Sequence, residues 1–164
     1  MSVGPAEVRA ILDRMGVEYE WIEIDPSFAD TAAFCEKYGF PPGQSANTIV
    51  VASKRTPRAF VACVVLATSR LDVNNAVKRL MGVNKASFAD ESDMAVVTGM
   101  QLGGVTPFGL PATLPIYIDQ RVMEQPWVIL GAGGRAAKVK VAPSILPLLP
   151  SVQVVTGLAL EANL

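Results

Sequence analysis

Histidine is missing from all 164 residues. Its absence removes the commonest general base, the commonest zinc ligand and every Ser-His or Cys-His nucleophile pair. Cysteine is nearly missing as well. Cys35 and Cys63 are too few for a disulfide framework and too far apart for a metal knuckle, so they read as two reduced, buried thiols. No metal and no cofactor is expected. Hydrophobic residues make up 51% of the chain, enough for one good core. No apolar run approaches the roughly 18 residues of a membrane span. Glu7, Arg9 and Asp13 stand where a signal peptide would be apolar. The expectation is one cytoplasmic domain over residues 1–164, with no membrane partner. A basic surplus is absent too: the formal net charge is −1, which argues against grip on a DNA duplex. A short single-stranded nucleic-acid end remains compatible. Lys54-Arg55 with Arg58, Lys78-Arg79, and Arg135 with Lys138 and Lys140 either serve such an end or form solvated faces.

What is present is well punctuated. Val8, Ile11, Leu12 and Met15 recur at helical spacing between Pro5 and Gly16, and residues 19–24 then alternate as a strand. Asp30 or Thr31 caps a short helix that ends at Gly39, and Phe40-Pro41-Pro42-Gly43 forces a turn. Residues 48–52 and 59–66 read as central strands joined by a basic loop around Pro57. Val73, Val77, Leu80 and Met81 mark a helix closed by Gly82, and Asp90 with Asp93 opens another that ends at Gly99. Short strands follow at 116–119, 128–130 and 139–141, then a Pro143-initiated helical turn and a last strand near Val154. Helices and strands are interspersed without a strict βαβ rhythm. The fold class is therefore α+β, a single mixed β-sheet flanked by helices.

One run stands apart from these elements: Gly103-Gly104-Val105-Thr106-Pro107-Phe108-Gly109. Adjacent glycines and a fixed proline specify a loop whose N–H and C=O groups are free to face a ligand, or an ordinary glycine-rich turn. A rival motif lies at residues 128–136, where a strand leads into Gly131-Ala132-Gly133-Gly134-Arg135-Ala136 and formally satisfies a dinucleotide-binding fingerprint. A true fingerprint opens a helix, whereas residues 138–141 alternate as a strand and Pro143 follows at once. The segment reads as a hairpin.

With these elements in order, the chain resembles the YbaK/prolyl-tRNA-synthetase-associated editing-domain family. The resemblance rests on Gly43-Gln44-Ser45-Ala46-Asn47-Thr48-Ile49-Val50 entering a strand and on Leu71-Asp72-Val73 starting a helix. Thr98-Gly99 before the loop at 103–109, Leu114-Pro115-Ile116-Tyr117-Ile118-Asp119, and Gly133-Gly134-Arg135 leading to Ala142-Pro143 complete it. The resemblance implies a pseudo-barrel-like sheet and a trans-editing hydrolase that removes a mischarged amino acid from the 3′ end of tRNA. Aminoacyl-tRNA is then the partner.

In that family a G-x-x-x-P loop presents backbone groups to the aminoacyl end, which corresponds here to Gly103 through Pro107. The implied catalytic set is Asn47, Gly103, Gly104, Val105 and Thr106, with the amides of Val105 and Thr106 as oxyanion donors. The implied substrate-binding set is Pro107, Phe108, Gly109, Asp119, Tyr19 and Lys138. Several carry a plainer reading as well. Phe108 also suits a plug into the core, Asp119 caps a turn or braces the glycine loop, and Tyr19 with Trp21 is either core or a stacking surface. The family usually carries lysine where this chain has Asn47, and often a histidine near Asp30-Thr31. Lys138 either restores the missing charge from another strand or shares a solvent-facing side with Lys140. The alternative to an enzyme is a non-catalytic module of the same fold that recognises an aminoacyl end, an amino acid or a protein partner. Neither the amino acid nor the oligomeric state is legible.

Overall fold

The computed structural model describes residues 2–161, so residue 1 and residues 162–164 of the expected domain lie outside the described residues. Helix α1 (Pro5–Met15) starts at a proline in its first turn and ends where Gly16 takes φ 67°. That left-handed stop is the one the glycine was expected to supply. Val8 and Leu12 face inward, fully buried. Strand β1 (Tyr19–Glu23) follows, then a 3-10 turn and helix α2 (Thr31–Tyr38), which stops at Gly39.

Strands β2 (Ala46–Ser53) and β3 (Phe60–Leu66) form the long central hairpin, in register from Ala46 opposite Leu66 to Ala52 opposite Phe60. Strand β4 (Ser69–Leu71) leads into a π-helical turn at Val73–Val77 that continues as α3 (Lys78–Met81). Next come β5 (Ala86–Phe88), α4 (Glu91–Thr98) and, beyond the glycine loop, β6 (Ile116–Asp119) with α5 (Gln120–Met123). Strands β7 (Val128–Gly131), β8 (Ala137–Val141), β9 (Val152–Val155) and β10 (Ala159–Glu161) complete the order.

The mixed sheet is five-stranded, in the order β5-β2-β3-β6-β9, with β2 antiparallel to its neighbours and β3, β6 and β9 parallel. A three-stranded antiparallel layer, β1-β8-β7, packs beside it, and β10 pairs with β4. A parallel bridge between Ser45 and Ile129 ties the start of β2 to β7. The main core fills the space between the two sheets and α1. Val8, Leu12, Val64, Ile118, Leu130 and Val139 meet there. The hairpin reading of residues 128–136 agrees with the antiparallel pairing of β7 and β8, in which Gly131 faces Lys138.

Among the described residues, no helix is long and apolar enough to cross a membrane. The short strands β4, β5 and β10 and the single turn α5 had no counterpart in the sequence pattern. Three or four residues carry too little period to show.

Candidate active site

A crevice of about 420 Å³ opens where β2 diverges from β7 and β8, within the size range of small-molecule sites. One wall is the N-terminal turn of α2 with Asp30 and Thr31; a second is Asn47 at the start of β2; a third is the glycine loop. The floor is apolar, with Phe34 and Ile129 almost fully buried.

Only the first half of the loop reaches this space. Gly103 and Val105 line it, beside Leu102. The Val105 amide has no protein acceptor among the described residues. Gly104 is used structurally: its N–H donates to the Gln101 carbonyl at 2.9 Å and its carbonyl accepts from Gly133 N at 2.7 Å. A Cβ on Gly104 would collide with the backbone of Gly134, and one on Gly131 would collide with the Val105 carbonyl. The loop therefore lies directly on the β7–β8 hairpin, an approach only glycine allows.

The second half of the loop corrects the sequence-based assignment. Thr106 is fully buried, its N–H meets Met100 Sδ at 3.4 Å, and its Oγ1 is buried without a partner. It supplies neither an oxyanion donor nor a nucleophile to the crevice. Phe108 is fully buried in the main core with α1, and Gly109 at φ 100° packs beside Val3 and Ile11. The apolar Pro107-Phe108 pair pulls this half inward, so Pro107, Phe108 and Gly109 are anchors of the loop and not substrate contacts. Tyr19 lies away from the crevice as well, where its hydroxyl donates to Asp13 Oδ1 at 2.5 Å and its ring meets Trp21 edge-on.

Asp119 does not brace the loop. It is buried at the end of β6, beside the backbone of Ala159, Leu158 and Arg121, with Oδ2 unpartnered. Burial pushes its carboxyl up, against the lowering pull of those amides and of the Arg121 charge. The Asp119 side chain makes no capping hydrogen bond to α5 and lies outside the crevice lining.

Asn47 is held by its neighbour: Thr31 Oγ1 donates to Asn47 Oδ1 at 2.6 Å, leaving the amide nitrogen for other partners. Lys138 lies across from it on β8 and lines the same space. It is only 6% exposed, its Nζ sits 5.7 Å from the centre of the Phe34 ring, and no carboxylate pairs with it among the described residues. Burial pushes its ammonium below the ordinary lysine value; the Asp30 charge opposes that shift and Arg135 adds to it. Lys138 and Lys140 do share a strand face, as their spacing requires. The cover differs along that face: α2 roofs Lys138, whereas half-exposed Lys140 reaches Glu20 at 3.7 Å and lies over Trp127.

Arg135 was read in the sequence as part of a basic cluster and of the hairpin motif, but its contacts were not legible there. Its guanidinium donates to the Leu102 carbonyl at 3.3 Å and to the Pro26 carbonyl at 3.2 Å, and it lies 3.7 Å from Asp30. It thereby ties Leu102, at the entry to the glycine loop, to the segment that enters α2. Such a side-chain-to-carbonyl clamp across 109 residues of sequence has no local signal.

The arrangement brings together a free backbone amide, a neutral amide side chain and one desolvated ammonium around an apolar floor. That set polarises a carbonyl or binds an oxyanion. The hydroxyls of Thr31, Ser45 and Thr48 also line the crevice, and in a chain without histidine none of them has the usual activating base beside it.

Residues 25–146 match the family model described as aminoacyl-tRNA editing domain. A curated protein of Enterococcus faecalis (strain ATCC 700802 / V583), "Putative Cys-tRNA(Pro)/Cys-tRNA(Cys) deacylase EbsC", is 26% identical over 129 residues, covering 79% of this chain and 75% of that protein. Among solved structures, a "putative trans-editing enzyme for prolyl tRNA synthetase" has a TM-score of 0.81 at 24% identity, over 99% of each chain. Another, "hypothetical protein APE2540", has a TM-score of 0.82 at 22% identity, over 93% of this chain and 98% of its own. At these identities the structural likeness carries the fold.

Proposed function

Because this chain belongs to the aminoacyl-tRNA editing-domain family, we propose that it hydrolyses the ester joining a mischarged amino acid to the 3′ end of tRNA. The observation that carries this reading is Lys138, a buried ammonium that lines the crevice with no carboxylate in ion-pair contact among the described residues. A desolvated charge is costly unless something in function compensates it.

In this mechanism the ester carbonyl lies between the Val105 amide and Lys138. Water attacks the carbonyl carbon, and the two donors stabilise the oxyanion that forms. The intermediate collapses with cleavage of the bond to the ribose oxygen, which takes up a proton to become the free hydroxyl, and the amino acid leaves. An aminoacyl ester is already activated. A positioned water, assisted by the neighbouring ribose hydroxyl, therefore needs no histidine. Asn47, fixed by Thr31, orients the ribose as a neutral donor. Lys138 supplies from β8 the positive charge that Asn47 lacks.

The test is release of amino acid from a panel of mischarged tRNAs by the natural protein and by Asn47→Lys. Turnover by the natural protein, with no gain in Asn47→Lys, is expected. A second ammonium beside Lys138 adds repulsion where one charge suffices. No turnover by the natural protein on any member, with turnover gained in Asn47→Lys, would make it a binding module of this fold.

A further inference from the structure

A second cavity, of about 490 Å³, opens at the far end of β2, where the turn between β2 and β3 meets the segment between α3 and β5. Lys54, Arg55 and Lys85 line it, and no carboxylate does. Lys54 N donates to the Lys85 carbonyl at 3.1 Å, which holds the two basic segments side by side. Arg58, on the same turn, is neutralised by Asp93 at 2.6 Å. Lys54, Arg55 and Lys85, with Lys78 and Arg79 on α3, are in no ion-pair contact among the described residues. In a chain of formal net charge −1 this is a local excess of free positive charge. The crevice and this cavity lie along one face of the central hairpin, onto which Asn47, Ile49 and Ser53 alternate. Ile49 lines the crevice and packs with Leu80 and Met81 of α3 against one core cluster, and Gly82 and Val83, directly after α3, line the basic cavity.

We propose that this cavity holds backbone phosphates of the tRNA acceptor stem while the aminoacyl end lies in the crevice. The proposal rests on the ester-hydrolysis reading above. From Asn47 to Ser53, at roughly 3.3 Å per residue, β2 covers about 20 Å. A stacked strand rises about 3.4 Å per nucleotide, so that distance corresponds to roughly six nucleotides. It exceeds the short unpaired tail of a tRNA, and the phosphates that arrive at the cavity therefore belong to the paired stem. The lining suits them: lysine and arginine offer strong N–H donors of full charge, with no carboxylate to compete. Such contacts carry no sequence information and instead fix the register and orientation of a duplex. Lys54, Arg55 and Lys85 are too few to grip a duplex unaided, which agrees with the overall charge. They suffice to steer a stem whose end is already held in the crevice, and they give tRNA an advantage over short aminoacyl esters.

The test compares a mischarged tRNA with an aminoacyl-adenosine, which has no stem. Both are given, across a range of salt concentrations, to the natural protein, to a variant combining Lys54→Gln, Arg55→Gln and Lys85→Gln, and to one combining Lys54→Arg and Lys85→Arg. These positions are exposed and outside the crevice lining, so the fold and the reacting groups are left alone. For the tRNA, the slope of log KM against log salt concentration is expected to fall by about 2–3 in the glutamine variant, close to one per lost phosphate contact, and to hold in the arginine variant. KM for the aminoacyl-adenosine is expected to be the same in every protein. An unchanged slope in the glutamine variant would overturn the proposal, as would a slope that falls as far in the arginine variant or an equal change on both substrates. If neither ester is cleaved, the hydrolysis reading fails on its own. Binding of uncharged tRNA to the same proteins then decides: a Kd less sensitive to salt in the glutamine variant supports the phosphate site, and equal sensitivity overturns it.

Discussion

Replacing Lys138 by methionine keeps the length of the side chain and removes its charge. The natural ammonium sits 6% exposed beside Phe34 without a paired carboxylate, so folding carries its desolvation cost. Exchanging buried charge for apolar volume is worth about 1–4 kcal/mol in favourable cases. At about 2–4 °C per kcal/mol for a domain of this length, the melting temperature of Lys138→Met is expected to rise on the order of 5–10 °C near neutral pH. Deacylation moves the other way, with loss of one oxyanion partner lowering the single-turnover rate by about 10²–10³. The gain in stability also depends on pH. Burial holds the folded-state value of Lys138 below the ordinary 10.5. Between that lowered value and 10.5 the unfolded chain binds more protons than the folded one, so the natural protein gains stability as pH rises through the window. Below the folded value the whole cost is present. The difference in melting temperature between variant and natural protein therefore narrows toward pH 10.5. Thermal melts across pH, set beside single-turnover deacylation, measure both effects. A variant that melts no higher than the natural protein at neutral pH, or that deacylates at its rate, refutes the assignment of a costly functional cation.

Other substitutions separate the loop's two halves. Thr106→Val removes a buried hydroxyl without a partner and is expected to hold or raise stability by up to about 2 kcal/mol, with deacylation unchanged, as read by denaturant titration and turnover. A large loss of activity would return Thr106 to the chemistry. Gly131→Ala drives a methyl group into the Val105 carbonyl and is expected to lower stability by about 1–3 kcal/mol and to depress kcat through the displaced Val105 amide. Arg135→Ala releases the tie between Leu102 and Pro26, and a raised KM with faster amide exchange at residues 102–105 is expected. Asp119→Asn relieves a buried carboxylate whose folded value is raised. The carboxyl's contribution to stability is complete below its unfolded value near 3.8 and is lost as pH rises through the folded value. The variant therefore gains on the natural protein above that point in pH-dependent melts.

The helices were legible because their ends are chemical. Gly16, Gly39, Gly82 and Gly99 each take the left-handed conformation that closes a helix, and Asp90 caps α4 through the Asp93 amide at 2.7 Å. The central hairpin was equally plain in its run of β-branched residues. Two walls of the crevice, Asn47 and Gly103 with Val105, were also visible in the sequence. The remainder depends on contacts between distant segments. Nothing near Phe34 or Arg135 in the chain announces that α2 roofs Lys138 or that a guanidinium ties Leu102 to Pro26. Thr106 and Pro107 were assigned with the glycines because they are contiguous with them, whereas for Phe108 the alternative of a plug into the core was already readable and is the one its burial matches. All three are buried, Phe108 in the main core and Thr106 against Met100, so one loop is divided between a crevice-lining and an inward-facing half.

The most direct measurement is a crystal structure of the protein with an aminoacyl-adenosine in which an amide replaces the scissile ester. The carbonyl oxygen is expected within hydrogen-bonding distance, about 2.7–3.2 Å, of both the Val105 amide and Lys138 Nζ. A carbonyl bound outside the crevice, or inside it with Lys138 turned away, would contradict the proposed chemistry.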